Sequence, residues 1–107
     1  MTKKYDKLVR DKIPDIIRVQ GKGVCFRVLE DDAEYIKALE DKLVEEVAEL
    51  LESKSIEEIA DVLEVMHAYK IALGFTDDEV IDVRLAKYHE RGGFNNRIFL
   101  EEVDERD

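Results

Sequence analysis

The sequence predicts an all-α fold, an antiparallel helical bundle completed by homo-oligomerisation, with a short N-terminal helix and an extended segment ahead of it. Two observations predict the helices. Apolar residues recur at helical spacing in two long stretches, Ile36, Leu39, Leu43, Val47, Leu50 and then Ile59, Val62, Leu63, Val65, Met66, Tyr69, Leu73. Start and stop signals bracket the segments: Ser55-x-x-Glu58 and Thr76-x-x-Glu79 have the capping-box pattern, and Gly74 and Gly92-Gly93 are helix stops. A third observation predicts the assembly. Val44 and Leu51 carry apolar surface beyond the first helix's stripe, and Ala60 and Ile71 lie on the back of the second. A bundle this small does not bury so much by itself; a homodimer or homotetramer does.

Each element follows from local chemistry. Pro14, the only proline, fits the first turn of a short helix over residues 12–20, with Ile13, Ile16 and Ile17 apolar and Gly21 past its end. Residues 23–29 have β-type composition but no partner strand in the chain, so they read as extended, an edge pairing or dimer contact. The first long helix runs from Asp31 or Asp32 to Ser53, the second from Ser55 to near Gly74, and the third from Thr76 to about Glu90. The tail, Phe94 to Val103, mixes Phe94, Ile98, Phe99, Leu100 and Val103 with charge and is expected to pack back on the bundle.

At 107 residues the chain is expected to be one domain, with a single modest core. Its formal net charge of −10 argues against coating nucleic acid. The charge is uneven. Residues 1–29 hold eight Lys/Arg against three acids, and the remainder nine against 24. The N-terminal segment is therefore expected to lie across the acidic helices of its own subunit or a neighbour's. No run is long and apolar enough for a membrane span and the N-terminus lacks a signal-peptide pattern, so a cytoplasmic protein is expected. The single cysteine, Cys25, excludes an internal disulfide and reads as a small buried apolar residue.

The chemistry lies in two acidic pairs, Glu46-x-x-Glu49 and Glu58-x-x-Asp61. Each places two carboxylates one turn apart on a helix. A hairpin turning at Ser53-Lys54-Ser55 sets Glu49 opposite Glu58 and Glu46 opposite Asp61. On the helical wheel Glu46 lies about 60° and Glu49 about 120° from the centre of the first apolar stripe. Glu45 and Glu52 fall on the far side. Glu58 falls inside the second helix's apolar arc and Asp61 at its margin, while Glu57 and Glu64 point outward. In a chain with 27 acids, chance pairs on solvated faces are common. These four, however, lean toward the core, where bare carboxylates are costly unless paired or metal-bound. An all-oxygen set suits Mg²⁺ or Mn²⁺. Glu58 has a competing role as the cap partner of Ser55.

A metal-bound phosphate ligand also needs basic partners. Lys42 shares a helix side with Glu46 and Glu49; Arg84, Lys87 and Arg91 form a stripe on the third helix; Lys7, Arg10 and Lys12 form a group near the N-terminus. The plain alternative is solvated bases in i, i+4 pairs such as Lys42–Glu46.

The stretch from Lys42 to Leu50 followed by Glu57 to Leu63 resembles the paired motifs of the all-α nucleoside triphosphate pyrophosphohydrolases, the MazG-like superfamily. The opening Tyr5-Asp6-Lys7-Leu8-Val9-Arg10-Asp11-Lys12-Ile13-Pro14 and closing Lys87-Tyr88-His89-Glu90-Arg91-Gly92-Gly93-Phe94 are similar to its phosphoribosyl-ATP pyrophosphohydrolase-like branch. Only eight residues, Leu50 to Glu57, separate the two acidic pairs, fewer than in many such proteins. The resemblance implies cleavage between the α and β phosphates of a nucleotide substrate, giving a monophosphate and pyrophosphate. Glu46, Glu49, Glu58 and Asp61 would bind Mg²⁺ and Glu49 or Glu45 would accept the proton of the attacking water. Arg10, Lys42, Arg84, Lys87 and Arg91 would meet the substrate. Two alternatives stand beside a general, house-cleaning activity: the phosphoribosyl-ATP step of histidine synthesis, and a nucleotide-binding module without turnover.

Overall fold

A computed structural model describes residues 1–105 and contains four α-helices and, among those residues, no strand. They are α1 (Ile13–Val19), α2 (Asp32–Ser53), α3 (Ile56–Ala72) and α4 (Asp77–Arg91). The chain forms two compact units, Met1–Phe75 and a second beginning at Thr76. The all-helical expectation is met, and each helix begins and ends within two or three residues of the expected place. Residues 23–29 form no ladder. They are instead tied down by side chains: Arg18 stacks its guanidinium 5.4 Å from the centre of the Phe26 ring, and Arg27 pairs with Glu34 on α2.

The first unit is organised by the α2–α3 hairpin. Asp31 caps α2 by accepting the Ala33 N–H at 2.9 Å. The helix stops because Lys54 adopts the left-handed conformation (φ 53°, ψ 35°), with its N–H on Leu50 O and its ammonium on Leu51 O. Ser55 then caps α3 through the Glu58 N–H at 3.3 Å. A turn this short makes the two helices antiparallel neighbours. Leu39, 2% exposed, is the one buried apolar side chain among the described residues, flanked by half-buried Ile36, Leu43, Leu50, Val62 and Val65.

The other side of the hairpin is bare. Val44, Val47 and Leu51 on α2, and Ile56, Ile59, Leu63 and Met66 on α3, are all exposed at spacings of three and four residues. That is the repeat of a helix-packing seam.

In the second unit, Thr76 and Glu79 form the reciprocal capping box expected for α4, and Gly92 ends the helix at φ 80°. The tail departs from expectation: Phe94, Ile98, Phe99, Leu100 and Val103 are all exposed. Cys25 is also exposed rather than buried, because residues 21–31 are not folded into the core. No helix among the described residues is long and apolar enough to cross a membrane.

Candidate metal centre

Glu46 and Glu58 meet across the hairpin, with Asp61 one turn beyond Glu58. Each of these three residues offers a carboxylate oxygen within 4.8 Å of the others. The wheel explains the meeting. Position 46 lies beside the α2 stripe that packs on α3, and positions 58 and 61 flank the α3 arc facing it. Glu57, Glu64 and Glu52 are exposed, as the phase of the helices requires.

Glu46 is the floor of the site. It is 6% exposed, the one buried charged residue among those described. Its Oε1 forms an ion pair with Lys42 Nζ at 3.1 Å, whereas its Oε2 is shielded from solvent and has no partner. Glu58 Oε2 is likewise shielded and unpartnered. Buried carboxylate oxygens without donors are costly and rare in folded proteins. Two of them on residues of one acidic group are what a hard cation would satisfy. The donor set, all carboxylate oxygen, fits Mg²⁺ or Mn²⁺.

Glu58 does not complete a capping box. Ser55 accepts its backbone N–H, but the Glu58 side chain is drawn to Glu46 instead. Its carboxyl is pushed up to about 7, first by loss of solvent, then by the closeness of Glu46 and the charges of Glu49, Glu46 and Asp61. A carboxyl raised from 4.5 holds its proton more tightly folded than unfolded. Without metal, the protein therefore loses stability as pH climbs from about 4.5 to about 7, and no more above that. Glu58→Gln removes this loss. In chelator its melting temperature is expected to exceed the wild type's above about pH 7 and to converge with it near pH 4.5. Equal melting curves throughout would show that Glu58 carries no such burden.

Basic residues ring the group. Arg10 Nη2 lies 2.6 Å from Asp61 Oδ1, with its other nitrogen 4.0 Å from Glu64. Lys42 also approaches Glu45 at 3.7 Å, and Lys7 reaches Glu45 at 2.9 Å. The basic N-terminal segment thus does lie across the acidic helices, in its own chain. Among the described residues, Glu58 alone of the three has no ion pair with a base.

Several expected residues fall elsewhere. Glu49 is exposed and stands outside the three-carboxylate group, although its charge is felt at Glu58 and Lys7. Glu45 is not on a far, solvated side: it is half-buried between Lys7 and Lys42. The hydrogen bond from Lys7 holds its carboxyl below the ordinary carboxylate value, which weakens it as a base. The wheel missed this because Lys7 arrives from 38 residues away. Arg84, Lys87 and Arg91 are exposed on α4, in the second unit. Lys7 was grouped with Arg10 by sequence alone; its partner Glu45 was not foreseeable from helical spacing.

No family model matches the chain, and no solved structure does. A stretch of 44 residues is 57% identical to an uncharacterized protein of Mycolicibacterium smegmatis (strain ATCC 700084 / mc(2)155), covering 41% of this chain. The match spans 44% of that protein's length.

Proposed function

We propose that the protein is a divalent-metal-dependent nucleotide pyrophosphohydrolase, splitting a nucleoside triphosphate between its α and β phosphates. The observation that carries the reading is that Glu46 and Glu58 each hold a shielded, unpartnered oxygen in a group whose three carboxylates, with Asp61, approach within 4.8 Å. The motif resemblance supplies the reaction class. Glu46, Glu58 and Asp61 would hold Mg²⁺, which when bound neutralises phosphate charge and lowers the pKa of a coordinated water. Glu49, next to the group and in no ion pair among the described residues, takes the role of proton acceptor; Glu45, committed to Lys7 and Lys42, does not. Arg10 at the rim of the site, and Lys42 beside Glu46, would meet phosphate oxygens.

The test is product analysis on a panel of canonical and modified nucleoside triphosphates and phosphoribosyl-ATP with Mg²⁺. Pyrophosphate and a monophosphate are the expected products. Pyrophosphate from phosphoribosyl-ATP alone would assign the histidine-pathway step, and saturable binding without any product would reduce the protein to a nucleotide-binding module. Metal binding to the folded state alone raises the melting temperature by mass action. A melting temperature indifferent to saturating Mg²⁺, Mn²⁺ and chelator would remove the metal site.

The assembly belongs to the same reading. The bare seam of Val44, Val47 and Leu51 beside Ile56, Ile59, Leu63 and Met66 is suited to the same seam of a second copy, two hairpins making a four-helix bundle. Light scattering is expected to give at least twice the chain mass of 12.4 kDa. A monomer at concentrations where the protein turns over nucleotide would contradict it.

A further inference from the structure

The three carboxylates are not equally committed. Lys42–Glu46 is an internal pair, with side chains 15% and 8% exposed, whereas Arg10–Asp61 sits at the rim, at 55% and 37%. A pair open to water is weakly held. A cation bound by three carboxylates competes directly for Asp61, and its double charge opposes a guanidinium 2.6 Å from the same oxygen. The backbone around Arg10 is anchored independently of that pair. Arg10's own carbonyl accepts the Ile13 N–H at 3.1 Å where α1 begins, and Lys7, three residues earlier, pairs with Glu45. Only the side chain is exchangeable. Once off Asp61, it has Glu64 at 4.0 Å as its remaining acidic neighbour on α3, and its planar fork suits phosphate oxygens better still.

We propose that Arg10 is a metal-released phosphate-binding residue: a divalent cation that takes Asp61 frees the guanidinium for a polyphosphate ligand, so that cation and polyphosphate bind in that order. This rests on reading Glu46, Glu58 and Asp61 as a cation site. Without the cation, Arg10 serves as the counter-charge of the acidic rim and is withheld from anions. With it, the same side chain changes partner, so the site attracts polyphosphate only when metal is present.

Calorimetry with tripolyphosphate tests the exchange without reference to turnover. With saturating Mn²⁺, Arg10→Gln is expected to weaken tripolyphosphate binding about tenfold or more, the scale of one charge-assisted hydrogen bond. In chelator the same substitution changes weak binding by no more than about twofold, because Arg10 is already engaged. Asp61→Asn releases Arg10 without metal, so in chelator Arg10→Gln costs the full factor again in that background. Mn²⁺ titrated alone is expected to bind Arg10→Gln at least as tightly as wild type, a competitor for Asp61 having been removed. An equal loss with Mn²⁺ and in chelator, or no loss in either, overturns the exchange while leaving the metal site standing. Failure of Mn²⁺ alone to bind wild-type protein overturns both.

Discussion

Glu58→Gln is expected to lower turnover by about 100-fold or more, the scale lost with a catalytic electrostatic contact, while Glu57→Gln stays within a few-fold of wild type. The two residues are neighbours with the same chemistry and differ only in direction. Glu57 is exposed, and Glu58 holds a shielded oxygen and comes within 4.8 Å of Glu46 across the hairpin. Glutamine preserves shape, and the Ser55 cap survives because it uses the backbone N–H of residue 58 rather than its side chain. A folding defect is therefore not the expected cause of the loss. Circular dichroism on both variants separates the two causes. The metal-induced rise in melting temperature should shrink in Glu58→Gln and persist in Glu57→Gln. If both variants turn over substrate normally, or Glu57→Gln is the damaged one with its fold intact, the acidic group is a surface cluster and the proposed reaction loses its centre.

That contrast was legible in the sequence because it depends on phase alone. Val62, Val65 and Tyr69 define the half-buried arc of α3, and its period places residue 58 inward and residue 57 outward. Helix ends were legible for a related reason, since Asp31, Ser55 and Thr76 act on N–H groups two or three residues away. What depends on distant partners was not. Glu45 was set on a solvated face by the wheel, yet Lys7 and Lys42 enclose it. Ser55-x-x-Glu58 has the pattern of a capping box, and only the tertiary meeting with Glu46 decides that the acid leaves the cap. Thr76 and Glu79 share the pattern without such a rival and form the full box. Residues 23–29 show the same limit from the other side. Their β-type composition is overridden because no strand pairs with them, and Arg18 and Arg27 fix the segment instead.

Lys42→Met is expected to destabilise the metal-free protein by about 3 kcal/mol, the low end for removing one partner of an internal ion pair. The pair is not fully sealed, Lys42 remaining 15% exposed, which argues for the low end rather than the middle of that range. The loss arises less from the missing attraction than from what remains: Glu46, with both oxygens then lacking a cation, beneath Glu58 and Asp61. Two additions identify that cause. Saturating Mn²⁺ should return most of the stability to Lys42→Met, since a cation in the acidic group supplies the charge that the lysine supplied, and the gain should exceed that seen for wild type. Replacing both partners, Lys42→Met with Glu46→Leu, should restore stability without metal, because apolar groups in a small core carry no desolvation cost, and should abolish the metal response. Urea denaturation of the three proteins, with Mn²⁺ and in chelator, measures each of these changes. If Lys42→Met were as stable as wild type in chelator, Glu46 would be adequately solvated where it stands. Its shielded oxygen would then no longer argue for a cation. If Lys42→Met were destabilised but Mn²⁺ gave nothing back, the lysine would be the permanent counter-ion of the site rather than the partner it shares with metal.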